Sequence, residues 1–340
     1  MKRSTKDIRS IVIVQTAFLG DVILTTPLIR ATQELFPLAD VDVVVIPETA
    51  EVLHNNPYIR TLHTFDKRAD KTKAFWRMTR LLREQRYDIG IAPHKSMTTA
   101  QLLLLGKVKY RVGFAGKAAS LSYHRRVPFD PAKPQIKRYL DLLTPFSQRT
   151  FSAQTEVFFD AKTKEKVKAL LKPYQEMKIA VAPGSVWPTK RWPAEKYVEL
   201  LKRLGNRVQY LFIGSPDERA DCQKIIHAAG IETAVNLAGS LSILESAAAV
   251  ASCDLMICND SGAMHLANAV KTDVFAFFGP TVKRFGFAPF RSDDRVFEID
   301  LACRPCSSHG GDKCPKDHFR CMKDIRVEEV ARAVERHLGL

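Results

Sequence analysis

Short apolar runs alternate along the chain with longer segments of helical period, and the whole alternation occurs twice. In the first series Ile11–Val14, Val41–Ile46 and Ile89–Ala92 read as strands. A helix reaching Phe36, a basic amphipathic helix over Phe75–Gln85 and a helix over Thr99–Leu105 fall between and after them. In the second series Ile179–Ala182, Val208–Ile213, Leu255–Cys258 and Val274–Phe278 read as strands. Glu195–Leu204, Glu218–Ala229, Ile243–Ala251 and Ala263–Ala269 read as helices. The strands are continuously apolar rather than alternating, as expected where a parallel sheet is covered on both faces. Between Gly113 and Pro134 the rhythm gives way to Gly, Pro, His, Lys and Arg without a period, and a long functional loop is expected there. Lys162–Leu171 reads as a helix ended by Pro173. Two Rossmann-like halves follow, 1–170 and 171–340, with a ligand cleft where strand ends face each other.

Composition narrows the partners more than the fold. The 340 residues are 46% hydrophobic and 26% charged, which is globular. Their net charge of +15 favours an anionic partner: nucleic acid, an acidic membrane surface or a phosphorylated substrate. No apolar run approaches the roughly 18–20 residues of a membrane span. The basic start (Lys2, Arg3, Lys6, Arg9) hints at a signal peptide, but Gln15 and Asp21 interrupt the apolar region, so a cytoplasmic location is expected.

Three segments carry candidate chemistry, each directly after a strand. In Ala17–Pro27, Gly20 would let the backbone turn sharply and approach a ligand. Asp21 there would act as a general base or as a helix cap. Thr26-Pro27 is itself a good start for the helix, which would leave Asp21 in a loop. In Ala182–Pro193, Gly184 and Ser185 offer amides and a hydroxyl while Lys190 and Arg191 offer fixed charge, a set suited to pyrophosphate. The alternative is a surface loop packed over Trp187 and Trp192. In Cys258–Ala267 a strand runs through Asn-Asp-Ser-Gly into a helix whose N-terminus favours an anion. Asp260 or Ser261 would equally serve as a plain cap there, and His265 as an ordinary helix-face histidine.

In this order Gly20-Asp21-Val22, Pro183-Gly184-Ser185, Lys190-Arg191-Trp192-Pro193, Asn259–His265 and Phe278-Gly279-Pro280-Thr281 resemble glycosyltransferase family 9, the lipopolysaccharide heptosyltransferases. The resemblance runs from the first strand to the final helix. The tail Cys303-Arg304-Pro305-Cys306, Cys314-Pro315, His318 and Cys321-Met322 is most similar to the heptosyltransferase II branch. The resemblance implies an α/β fold of GT-B type, two Rossmann-like domains with parallel sheets facing across a cleft. The first would bind the acceptor and the second the nucleotide sugar, with the last helix packing back on the first. It further implies inverting transfer from ADP-heptose to the lipopolysaccharide inner core, at the cytoplasmic face of the inner membrane, with no cofactor required. Residue by residue, it makes Asp21 the base and Lys190 the diphosphate contact. Ser185, Thr189, Asp260, Ser261, Gly262, Ala263, Met264 and His265 complete the donor site, and either Asp217 or Glu218 stands where the family contacts the ribose.

The acceptor is expected against Gly20 and the basic cluster of Lys107, Arg111, Lys117 and Arg125, which would also draw an anionic leaflet. Nothing in the chain resembles a nucleic-acid-binding module, so the rival reading of a basic nucleic-acid binder rests on the +15 charge and on the zinc knuckle that the tail cysteines would allow. Of seven cysteines, Cys222, Cys253 and Cys258 read as core thiols. Cys303, Cys306, Cys314 and Cys321, with His309 and His318 among them, read either as reduced thiols or as a small zinc knuckle.

Overall fold

Runs of Val and Ile have no polar side chain to hydrate, so strands built from them are driven to the middle of a sheet. The computed structural model describes residues 7–68, 70–116, 118–171 and 177–340. The chain divides into two compact units, one ending at Phe158 and the other beginning at Phe159.

In the first unit the order is β1 (Ser10–Val14), α1 (Leu19–Leu35), β2 (Asp40–Val45), α2 (Pro47–Ala50), β3 (Thr61–Thr64), α3 (Lys71–Gln85), β4 (Ile89–Ala92), α4 (Met97–Leu105), β5 (Tyr110–Phe114), β6 (Arg125–Val127) and α5 (Gln135–Asp141). The six strands are parallel, in the order β3-β2-β1-β4-β5-β6. The second unit contains α6 (Ala161–Leu170), β7 (Lys178–Ala182), α7 (Ala194–Leu204), β8 (Gln209–Phe212), α8 (Arg219–Ala229), β9 (Ala234–Asn236) and α9 (Ile243–Val250). It continues with β10 (Leu255–Asn259), α10 (Gly262–Ala269), β11 (Asp273–Phe278), β12 (Arg295–Glu298), α11 (Arg320–Lys323) and α12 (Val327–Leu338). Its sheet, also parallel, has the order β12-β11-β10-β7-β8-β9. Counted from its own first strand, each unit winds identically, first one way from the central strand and then the other. This is the doubly wound arrangement, and it opens a crevice at the carboxyl edge where the winding reverses.

Four expectations are corrected. The helix starts at Leu19 rather than at Thr26, so Asp21 lies in its first turn and Pro27 in its interior. Proline leaves the Ile23 carbonyl without its usual amide donor, and the Thr26 hydroxyl supplies the bond at 2.8 Å. The presumed loop 113–134 contains the end of β5 and all of β6, an edge strand whose Arg125 and Arg126 are exposed and break the apolar pattern. The helix Ala161–Leu170, assigned by sequence to the first half, buries Val167 in the second core and packs on α9. The final helix likewise belongs to the second unit: its Val330, Ala331 and Val334 are buried with Leu200, Leu201 and Leu204 of α7.

Away from either crevice, the amino end of the first sheet holds a buried charge. Asp42 on β2 is fully enclosed and takes hydrogen bonds from Arg60 (Nε, 2.9 Å) and Tyr87, with His63 Nε2 at 3.6 Å. Burial alone would push its carboxyl up, but the bonds from His63, Arg60 and Tyr87 outweigh burial and hold it well below its ordinary value. A depressed carboxyl adds stability that is present above its unfolded value, near 3.9, and is lost as pH falls through the folded one. Asp42→Asn is expected to lower stability at pH 7 by about 2–3 kcal/mol, since it strands the half-exposed Arg60 beside a neutral amide. In urea titrations followed by circular dichroism, the gap between variant and wild type should close as pH drops below about 4; an equal gap at every pH would exclude this network as the cause.

Candidate functional site

The winding reverses between β1 and β4 in the first unit, and the residues leaving both strands gather at that carboxyl edge. Gly20 is the second residue of α1 and is not among the glycines with positive φ, so it does not make the sharp turn its sequence suggested. Asp21 follows it in the first helical turn, where the helix dipole favours a carboxylate. Its Oδ1 accepts a 3.0 Å bond from the hydroxyl of Tyr139 on α5. That phenol is completely enclosed. Burial first, and then the Asp21 charge, push it well above its ordinary value, so it stays protonated and donating. Gln15, buried at the end of β1, donates to Thr25 (2.9 Å), whose hydroxyl donates to the Asp21 carbonyl (2.7 Å). The first turn of α1 is thereby tied to the strand before it.

Positive groups gather at the same edge. Lys67, beyond β3, donates to the Thr16 hydroxyl at 2.7 Å and the Thr16 carbonyl at 3.0 Å. Burial, and then the charge of Lys71, lower its pKa. Lys95, beyond β4, sits 3.1 Å from the Phe129 ring centre, with the Arg138 guanidinium 4.9 Å from the same ring. None of these was singled out in the sequence, because each reaches the edge from a different part of the chain, Lys67 and Lys95 on separate loops and Arg138 on α5.

The expected acceptor cluster is not brought to that edge. Lys107 precedes β5, Arg111 is its second residue and Arg125 opens β6, so all three stand at the amino end of a parallel sheet whose carboxyl end carries Asp21. Arg111 is further committed to the carbonyls of Ser122 and Val108, both at 2.7 Å. Arg125 donates to Tyr110 at 3.1 Å. Lys117 lies outside the described residues.

In the second unit the reversal falls between β7 and β10, and the two sequence-selected loops meet there. Asn259, fully buried at the end of β10, donates to the carbonyls of Pro183 (2.8 Å) and Gly184 (3.1 Å) and accepts from the Trp192 amide (2.9 Å). Lys190 Nζ lies 2.6 Å from Asp260 Oδ2, which also accepts from Thr281 at 2.6 Å. α10 begins at Gly262, and Ser261 occupies its cap position without a side-chain cap bond. The first-turn amides of Gly262, Ala263 and Met264 therefore have no helical partner, while the Met264 side chain itself is buried in the core. His265 is buried, and its Nδ1 lacks a protein partner. Burial lowers its pKa to about 4, Asp260 opposing and Lys190 assisting, so the ring is neutral near pH 7. This corner can hold an anion between a lysine, a neutral histidine and a helix N-terminus.

Three assignments change on inspection. Thr189 is not open to a ligand through its hydroxyl, which exchanges 2.8 Å bonds with both the amide and the carbonyl of Gly311. Ser185 is buried, and its carbonyl accepts from Arg191 at 2.8 Å. Between Asp217 and Glu218, only Glu218 reaches the β7 loop: a Cβ placed on Gly184 would fall 1.8 Å from the Glu218 carboxylate. That is why glycine is required at this position. Glu218 also accepts from the Ser215 amide at 2.8 Å, whereas Asp217 is exposed.

The tail cysteines lie near one another, with Cys306, Cys314 and Cys321 lining one small cavity. Among the described residues no group of three or more His, Cys, Asp or Glu side chains is placed to hold a metal ion. Cys303 pairs with His318 (3.8 Å), Cys306 donates to the Cys303 carbonyl (3.0 Å), and Cys321 is buried in the second core. Burial pushes the Cys321 thiol up to about 11 and, aided by Cys303, raises Cys306 as well.

The model of glycosyltransferase family 9 (heptosyltransferase) matches residues 75–315. A lipooligosaccharide heptosyltransferase 2 of Campylobacter jejuni subsp. jejuni serotype O:6 is 30% identical over 163 residues, 46% of this chain and 50% of that protein. The chain thus spans about half the length of that curated relative. Among solved structures, the crystal structure of the glycosyl transferase family 9 from Veillonella parvula DSM 2008 has a TM-score of 0.85 at 22% identity, covering 99% of this chain and 98% of the other. The structure of E. coli ADP-heptose lps heptosyltransferase II has a TM-score of 0.79 at 22% identity, covering 97% and 98%. At these identities the likeness establishes the fold, which is of GT-B type. With most of its length, including the second sheet's reversal point, inside the family match, this chain belongs to glycosyltransferase family 9, the heptosyltransferases.

Proposed function

We propose that this chain transfers L-glycero-D-manno-heptose from ADP-heptose to a heptosyl-Kdo2-lipid A acceptor in the inner core of lipopolysaccharide, with inversion at the anomeric carbon. The observation that supports this reading best is the corner formed by Lys190, Asp260, Thr281 and the α10 N-terminus at the β7–β10 reversal. Such a corner suits the diphosphate of a nucleotide sugar, because it offers amide donors and a fixed ammonium together. The names of the relatives supply the sugar and the acceptor: the Campylobacter protein is a lipooligosaccharide heptosyltransferase 2 and the E. coli structure an ADP-heptose enzyme.

In this reading the reaction is a single displacement. An acceptor hydroxyl oxygen attacks the anomeric carbon, and the bond from that carbon to the β-phosphate oxygen breaks with its electron pair leaving on ADP. The hydroxyl proton passes to Asp21, whose carboxylate Tyr139 holds in place. Lys190 and the amides of α10 stabilise the charge that grows on ADP, so the reaction needs no cofactor. Glu218, beside Gly184, is the acidic side chain assigned to the ribose. The work would take place at the cytoplasmic face of the inner membrane, where such an acceptor is presented.

The direct test supplies ADP-heptose with lipid A–Kdo acceptors that carry one heptose or none. Product from the mono-heptosylated acceptor alone is expected; product from the heptose-free one alone would move the chain to the first transfer step. Asp21→Asn should lower kcat by about 10²–10⁴-fold with the donor KM little changed, the loss expected of a general base. Undiminished turnover in that variant would take Asp21 out of the reaction. Lys190→Ala should weaken ADP binding, read by calorimetry, by about 10–100-fold, the scale of a lost charged hydrogen bond. Unchanged ADP affinity would place the diphosphate elsewhere.

A further inference from the structure

α3, α4 and the 3₁₀ turn Ala118–Ser122 form one layer on the first sheet: α3 packs on α4, and α4 on the turn. Their inner side chains, among them Met78, Leu82, Leu102, Leu103 and Ala119, share a single buried cluster. The outer side of such a layer is ordinarily polar. Here it presents Trp76 at 55% exposure, Met97 at 45%, Leu104 at 42% and Leu121 at 73%. Met97 and Leu104 are seven residues apart and so lie on the same side of α4. Arg83 of α3 donates to the Leu105 carbonyl at 2.6 Å, which brings the basic flank of α3 against the end of α4.

The charge around these apolar groups has one sign. Between Lys71 and Arg126 the chain has thirteen basic and two acidic residues, a net +11 out of the +15 of the whole protein. Both acids are already paired, Glu84 with Arg80 and Asp88 with Lys109. Among the exposed members of the layer, Lys73, Arg77 and Arg80 share the outer side of α3 with Trp76, and Lys107 follows Leu104.

We propose that the outer side of this layer docks on an anionic lipid bilayer. Apolar side chains inside a cationic rim match the depth profile of such a surface, with anionic headgroups outside and acyl chains beneath. No helix among the described residues is long and apolar enough to cross a membrane, so the attachment is interfacial. A second copy of the chain would set this basic rim against itself, a like-charge contact that opposes docking. A single-stranded nucleic acid would satisfy the charge and could stack on Trp76, but Met97, Leu104 and Leu121 offer it no ring. Met97 opens α4 just after β4 and so stands toward the carboxyl edge that also carries Asp21, whereas Leu121, beside the Ser122 carbonyl that Arg111 holds, lies toward the amino end. A bilayer that reaches Met97 would bring a lipid-borne acceptor toward the Asp21 edge. That consequence rests on the proposed function, whereas the docking itself does not.

The test is flotation of the full chain with vesicles of phosphatidylcholine alone, or with about 30 mol % phosphatidylglycerol added. Binding to the anionic vesicles at least about tenfold stronger than to the neutral ones is expected, weakening as salt rises from about 0.1 to about 0.5 M. Trp76→Ser combined with Leu121→Ser should reduce that binding about tenfold further, with an unchanged melting temperature and unchanged transfer to a detergent-dispersed acceptor. Equal binding to both vesicles, no binding, or no effect of the double variant overturns the proposal. So does a dimer in sedimentation velocity that the same variant abolishes, or binding to single-stranded nucleic acid without binding to vesicles. Vesicle binding without any heptosyl transfer would instead overturn the proposed function and leave the docking surface standing.

Discussion

A carboxamide sealed at the end of β10 must satisfy two donors and two acceptor positions, and Asn259 does so with the chain that forms the donor corner. Its amino group holds the carbonyls of Pro183 and Gly184, and its oxygen takes the Trp192 amide and, at 3.4 Å, the Tyr197 hydroxyl. Leaving any one of these buried groups unpaired would cost about 1–3 kcal/mol. Both ends of the stretch 183–192 are therefore pinned to β10, and Lys190, between them, can reach Asp260 with little freedom left to lose. Trp192 reinforces this from below, stacked on Phe277 with 4.2 Å between ring centres. A lysine on an untethered loop would have to be ordered when an anion arrives; this one is ordered beforehand, as the proposed stabilisation of a leaving group would need.

The first unit reaches a similar rigidity by another route. The Asp21 carboxylate stands in a helix whose interior contains a proline, and threonine hydroxyls repair the ladder at Ile23 and brace the Asp21 carbonyl. Tyr139 then fixes one carboxylate oxygen from α5, more than a hundred residues away in sequence. A buried phenol suits this task because desolvation keeps it neutral, so it donates without bringing a second charge near the acid.

What the sequence conveyed follows from this division of labour. Central strands such as Val41–Ile46 and Val274–Phe278 were legible because burial on both faces demands unbroken apolar runs. The edge strands Thr61–Thr64, Arg125–Val127, Ala234–Asn236 and Arg295–Glu298 were not, since partial exposure admits Thr, His, Arg and Glu and removes any period. The donor loops were legible as glycine-, serine- and lysine-bearing segments directly after strands. Asn259 left a signal, a lone amide closing an apolar strand, whereas Tyr139, Lys67 and Lys95 left none, because only the fold brings them to the crevice edge. The basic cluster misled for a geometric reason: nearness in sequence between Lys107, Arg111 and Arg125 says nothing about which end of a parallel sheet they occupy.

The tail reads differently once its contacts are known. Arg304, buried between Cys303 and Cys306, donates to the carbonyls of Phe278 (3.2 Å) and Thr281 (2.8 Å) and pairs with Glu298 at 2.9 Å. The Cys306 amide donates to the Pro280 carbonyl at 3.0 Å, and Gly311 locks Thr189 from the other side. The loop after β11 is thus clamped through its backbone, and that loop carries Thr281, which holds Asp260, which holds Lys190. Removing the tail would free two walls of the donor corner at once, without touching any group that faces the ligand. Arg304, the Cys306 amide and Gly311 therefore belong to the same device as Asn259: one braces the corner from inside the sheet and the others from outside, and the ammonium of Lys190 stands where they meet.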